Sequence, residues 1–204
     1  ERKQLRQKEA PQKEEKEGIN ITLENGDEDT LDIKHLEVMV AEACEGLEGT
    51  NAQNIIDEAN KNLYDGVTEE DARTSLVMTS RTLVEQEPNY TYVTARILLD
   101  NIRTEALTYL GMQKQATQKE MENLYPQALR NFLAKGVENE ILNPELLEMD
   151  IEKLGEAIDA TRDTNFTYLG LQTLYDRYFI HDTEVRYELP QVFFMRVSMG
   201  LALR

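Results

Sequence analysis

A single cysteine, Cys44, excludes an internal disulfide and any Cys-Cys metal pair. The only histidines, His35 and His181, lie far apart, with no His-Glu-x-x-His run and no Cys/His cluster, so no metal-ligand spacing is present. The ten glycines are scattered and form no phosphate-cradling loop. No apolar run approaches the roughly 20 residues that span a bilayer. The charged start, Glu1-Arg2-Lys3-Gln4, lacks the apolar stretch of a secretory signal. These absences point away from the membrane and to the cytoplasm. Basic residues are also scarce: 22 Lys and Arg stand against 39 Asp and Glu, for a net charge of −17. Such a surface repels a phosphate backbone, which argues against nucleic acid as a partner. Solubility is the simplest reason for the acidity.

The charge is unevenly spread. Residues 1–18 carry six basic and five acidic side chains, residues 19–110 six and nineteen, and residues 111–204 ten and fifteen. Segment 1–18 is nearly free of apolar residues and reads as a charged linker, since it has too little surface to bury to offset its ordering entropy. Ile19, Ile21 and Leu23 then alternate with polar residues. Asn25-Gly26 follows as a turn that tolerates positive φ, and Asp27 to Ile33 returns as the second strand of a hairpin. Four helices are predicted next. Leu36, Val40, Ala43 and Leu47 share a face of the first, and Ala52, Ile55, Ile56, Ala59 and Leu63 a face of the second. Ala72, Leu76, Ser80, Leu83 and Val84 line the third, with Thr68 as its cap. Tyr92, Ala95, Leu99, Ile102 and Ala106 line the fourth, which Pro88 opens. A hairpin and four helices within 19–110 make a small α+β domain.

Residues 111–204 stay helical. One helix is predicted over 115–135 with Gly136 after it, a short one after Asn143-Pro144, and one capped by Asp150. Another runs from Phe166 to Tyr178. A short hairpin turns at His181-Asp182-Thr183, and a last apolar helix starts at Pro190. That helix reaches Arg204 without a cap, which reads as a domain cut before completion.

Catalytic chemistry is not visible. Cys44 reads as a small buried hydrophobe, His35 and His181 as structural or surface residues, and Glu69-Glu70 and Glu14-Glu15 as helix-start or solvated charges. Tyr90 and Tyr92 read as core.

Two stretches carry a family resemblance. Leu63-Tyr64-Asp65-Gly66-Val67-Thr68, followed by Glu87-Pro88-Asn89-Tyr90-Thr91-Tyr92-Val93-Thr94-Ala95-Arg96-Ile97-Leu98-Leu99, resembles the second half of an ATP cone, the allosteric activity switch of many ribonucleotide reductases. Phe166-Thr167-Tyr168-Leu169-Gly170-Leu171-Gln172-Thr173-Leu174-Tyr175-Asp176-Arg177-Tyr178, followed by Glu188-Leu189-Pro190-Gln191-Val192-Phe193-Phe194-Met195-Arg196-Val197, resembles the approach to the catalytic barrel of the class I large subunit. The resemblance implies a mainly α chain: an ATP-cone-like hairpin and four-helix domain over 19–110, then the helical N-terminal part of the reductase catalytic domain, truncated, over 111–204. A charged linker between tandem cones is one origin it suggests for 1–18.

For the parent enzyme the resemblance implies reduction of ribonucleoside diphosphates by radical chemistry. It also implies ATP and dNTP effectors, a metal-containing radical-generating small (β) subunit and a second α subunit. None of the barrel cysteines is present, so the chain by itself is expected to be inactive, with no catalytic residue, cofactor or metal. The alternative is a stand-alone interaction or regulatory module derived from the same domain.

Departures from the cone pattern carry the mechanistic content. A Lys-Arg pair before the hairpin turn of a nucleotide-binding cone is matched by Leu23 and Glu24. An early basic residue is matched by His35, a threonine by Glu69 (with Thr68 adjacent), a histidine by Arg73, and a lysine late in the fourth helix by Thr104. A triphosphate needs cations or helix N-termini to hold it. Unit charges a few ångströms apart interact by roughly 1–4 kcal/mol at water-like to surface dielectrics, so exchanging an arginine for a glutamate weakens binding by orders of magnitude. The expectation is a cone that has kept its fold and lost its ligand.

Overall fold

The computed structural model describes residues 20–22, 28–30, 33–61, 67–183 and 185–203. The linker 1–18 and the Asn25-Gly26 turn lie outside the described residues. The chain is mainly helical with a small β component. Strands β1 (Asn20–Thr22) and β2 (Glu28–Thr30) pair antiparallel, Ile21 opposite Asp29. Helices α1 (Ile33–Cys44) and α2 (Ala52–Ala59) follow. Strand β3 (Val67–Thr68) then pairs parallel to β1, giving the order β2-β1-β3. Next come α3 (Glu69–Thr82) and α4 (Tyr90–Tyr109).

The expected strands and four helices are present, with corrections: Leu47 lies beyond α1, Leu83 and Val84 fall in a 3-10 turn (Leu83–Glu85) after α3, and Leu63 lies outside the described residues. The described part of the return strand is Glu28–Thr30, and Ile33, expected in it, belongs to α1. The parallel strand β3 was not anticipated, because two residues show no alternation to read.

Local chemistry sets the helix ends. The Asn51 side chain caps α2, accepting from the backbone of Gln53 and Asn54, and the Thr68 hydroxyl caps α3, accepting from Asp71 N at 3.0 Å. The loop between α1 and α2 turns at Gly49, where φ is +77° and a Cβ would meet the Glu87 carboxylate at 2.7 Å. Arg96 of α4 donates to the carbonyls of Ala43 and Glu45 at the end of α1, filling acceptors a helix terminus leaves open.

The second half begins with α5 (Gln118–Glu138), started by a reciprocal Thr117–Glu120 capping box. Gly136 lies inside this helix rather than after it, and a Cβ there would meet the Leu142 side chain at 2.5 Å. A 3-10 turn (Pro144–Glu148), α6 (Ile151–Glu156) capped by Asp150, and a second 3-10 turn (Ala160–Asn165) lead to α7 (Tyr168–Arg177). The expected second hairpin is shifted: His181 and Asp182 are strand β4, paired with β5 (Val185–Arg186), rather than its turn. Thr183, at φ +52°, lies in the turn between them. Helix α8 (Pro190–Ala202) starts at Pro190 as expected and leaves Phe194, Val197 and Leu201 exposed.

Helix α4 positions everything that follows. Its buried residues include Val93, Ile97, Leu98, Leu99, Ile102, Ala106 and Leu107, which cover most of its circumference instead of one stripe. One side packs on α1 and α3, and the other on α7, β5 and the 160–165 turn. Each such large apolar side chain contributes ~1.5–3 kcal/mol on burial. The two halves therefore share one apolar core along this helix.

Candidate functional site

Of the residues matched to a nucleotide pocket, Leu23 and Glu24 lie outside the described residues, as does the side chain of Glu69. His35, Arg73 and Thr104 are described, and the fold brings the first two onto Asp100, a residue the family pattern does not mark. Arg73, on the second turn of α3, donates from Nη1 to Asp100 Oδ2 at 2.7 Å and more weakly to Asn101 Oδ1 at 3.4 Å. His35, on the first turn of α1, places Nε2 3.6 Å from Asp100 Oδ1. Asp100 and Arg73 are 4% and 7% exposed, so this contact is sheltered from water. Burial pushes the Asp100 carboxyl up, but His35 and Arg73 together outweigh it and hold the group below the usual aspartate range.

Thr104 stands one turn beyond Asp100 on α4, hence on the same face. Its hydroxyl oxygen is buried and has no hydrogen-bond partner among the described residues. Thr68 is not directed at the cluster; its hydroxyl is committed to the α3 cap. Asp100 left one signal in the sequence: a carboxylate set in Ile97-Leu98-Leu99-Asp100-Asn101-Ile102, on the buried part of a helix, must have a cationic partner.

A second buried carboxylate, Asp163, lies where the halves meet. It is 1% exposed. Arg103 of α4 reaches its Oδ2 at 3.1 Å, the Tyr125 hydroxyl donates to the same oxygen at 2.7 Å, and Gln191 of α8 donates to Oδ1 at 2.9 Å. Arg103 also donates to Gln118, whose amide donates to Ala160 O. Burial first, then the Asp163 charge, pushes the Tyr125 phenol well above its usual range.

Elsewhere along α4, Glu105 accepts from the Tyr175 hydroxyl at 2.8 Å and from the backbone of Arg186 at 2.6 Å. Glu188 accepts from Arg196 and from Ile180 N. Burial raises the carboxyls of both Glu105 and Glu188. These groups tie backbone and helices together.

Cys44 is half-buried at the end of α1, and burial raises its thiol against the lowering effects of Thr50 and Arg96. It lacks the depressed pKa of an activated thiol. Among the described residues no three His, Cys, Asp or Glu side chains gather to hold a metal ion, and no helix is long and apolar enough to cross a membrane.

Comparison with known proteins agrees with this architecture. The family model described as the ATP cone domain matches residues 19–105, and that of the ribonucleotide reductase all-alpha domain matches residues 164–204. The chain is 38% identical over 182 residues to the ribonucleoside-diphosphate reductase subunit alpha of Chlamydia muridarum, covering 87% of this chain and 17% of that protein. The same subunit of Chlamydia trachomatis is 37% identical over 189 residues, covering 92% and 18%. That of Helicobacter pylori is 28% identical over 186 residues, covering 90% and 22%. The chain thus spans about a fifth or less of the relatives it matches. With both family models in one order and every one of these relatives of one kind, the chain belongs to the ribonucleotide reductase alpha-subunit family and joins that family's ATP cone to its all-alpha domain.

Proposed function

We propose that this chain is the regulatory and structural N-terminal part of a ribonucleoside-diphosphate reductase alpha subunit, and that its cone binds neither ATP nor dATP. The parent enzyme makes deoxyribonucleotides for DNA synthesis from ribonucleoside diphosphates in the cytoplasm, partnered by a radical-generating β subunit and a second α subunit. The catalytic steps belong to residues other than these: one half-buried thiol, Cys44, cannot serve both as a radical site and as a reducing cysteine pair. A domain division near residue 110 fits this reading, with α4 as the wall common to both parts.

One observation carries the loss of the ligand. Arg73 and His35, the two described basic side chains at nucleotide-pocket positions, both face Asp100. A phosphate approaching them would have to displace a buried carboxylate and meet its charge. Leu23 and Glu24, at the positions of the missing cation pair, act in the same direction. Calorimetric titration of the chain with ATP and with dATP, each with magnesium, should give no binding heat. Micromolar binding of either nucleotide would refute this reading.

A further inference from the structure

We propose that α4 is a hinge-free rod that joins the cone to the second half as one cooperative unit, so that the two open together and a change in one is carried in full to the other. This coupling goes beyond the ligand-free reading and holds whether or not the cone takes a nucleotide.

The family boundary falls inside a helix. The ATP cone match ends at residue 105, within α4 (Tyr90–Tyr109) and not in a loop after it. Sharp helix kinks arise at proline, at glycine or where a side chain or water inserts. Over its 20 residues α4 contains neither proline nor glycine. It therefore runs roughly 30 Å from cone to second half with no residue suited to a hinge.

The polar side chains of α4 divide along its length. Toward the N-terminus they hold the cone. The Tyr90 hydroxyl accepts from Asn51 N at 3.0 Å, Arg96 donates to the carbonyls of Ala43 and Glu45, and Asp100 accepts from Arg73 at 2.7 Å. From Arg103 onward they hold the second half. Arg103 reaches Asp163 at 3.1 Å, Glu105 accepts from Tyr175 and from Arg186 N, and the Tyr109 hydroxyl donates to Asp182 at 2.5 Å. The Tyr109 ring also stacks on the buried Tyr187 at 4.7 Å. Asp100 and Arg103 are less than one turn apart, so the two sets of bonds meet without a gap. A second crossing lies beside the rod, where the Arg81 guanidinium of α3 stands 5.5 Å from the Tyr168 ring centre of α7. Swinging the cone away would strip these bonds and uncover the apolar side chains that α4 buries against α7.

Hydrogen exchange on the whole 204-residue chain, read amide by amide as urea is raised below the unfolding range, tests the coupling. The amides of Val40 in α1 and Leu129 in α5, both at fully buried residues, should converge on one opening free energy with one urea slope. Two separate limits overturn the proposal, and this measurement needs no variant.

Two substitutions sharpen it, each removing buried carbon while leaving the polar bonds of α4 in place. Ile55→Val lies in α2, which packs on α1 and α3, and Phe132→Leu lies in α5. Each should lower the protection of its own half at least about threefold. The opposite half should lose protection by the same factor. A loss confined to the half that carries the substitution overturns the proposal.

Discussion

Asp100 and Asp163 are both buried carboxylates facing an arginine, yet the company each keeps is different. Asp163 is reached by Arg103, Tyr125 and Gln191, so its donors come from α4, α5 and α8 and its two oxygens are shared across the halves. Asp100 meets only Arg73 and His35 among the contacts described, at positions matched to a nucleotide pocket, with the unpartnered Thr104 hydroxyl one turn away. One carboxylate is a joint whose every oxygen is used by the fold. The other faces two basic side chains at positions matched to a nucleotide pocket. A buried ion pair by itself therefore says little about its role; what distinguishes the two is whether the surrounding donors join the halves or stand at positions matched to a nucleotide pocket.

The comparison breaks or sharpens at three points. The largest effect is expected from Asp163→Ala. It leaves the buried Arg103 charge, whose side chain is 5% exposed, with only the neutral Gln118 among its described partners, and should cost ~3–5 kcal/mol. Urea unfolding followed by circular dichroism measures this directly. An Asp100→Ala variant losing as much or more would erase the distinction between joint and site.

A middle-sized effect concerns acid. The Asp100 carboxyl is held below its ordinary value, so its contribution is present above the unfolded-state pKa and is lost as pH falls through the depressed folded value. Glu105 and Glu188, raised by burial, work in the opposite sense: their contributions are present at low pH and are lost as pH rises through their folded values. Melting temperatures of the unaltered chain and of Asp100→Asn, compared between pH ~7 and ~3, should therefore converge as the pH falls. A constant gap would show that Asp100 makes no ionised-state contribution.

The smallest effect is expected from Thr104→Val. It removes a buried hydroxyl with no described partner and should change stability by no more than ~1 kcal/mol, neutral or upward. A clear loss in thermal melts would reveal a hydrogen bond that this oxygen makes.

Much of the fold was determined by local sequence. Apolar spacing marked every long helix, and capping residues placed several starts: Thr68 and Asp150 act as their side chains predict, and Pro190 opens α8. These features depend on neighbours within one turn, which a linear reading contains. Elements of two residues, such as β3, carry no period and were invisible. Gly136 read as a stop because only the packed structure shows Leu142 lying over it.

The site divides in the same way. His35, Arg73 and Thr104 stand at positions matched in the family pattern, whereas Asp100, the carboxylate that joins the first two, does not. Asp100 lies 27 residues from Arg73, and Asp163 lies 60 from Arg103. The need for a partner to a buried charge is written into a helix, because desolvation forbids leaving it alone. Which partner answers is decided only when helices distant in sequence are brought side by side, since the Coulomb interaction depends on distance in space and takes no account of separation along the chain.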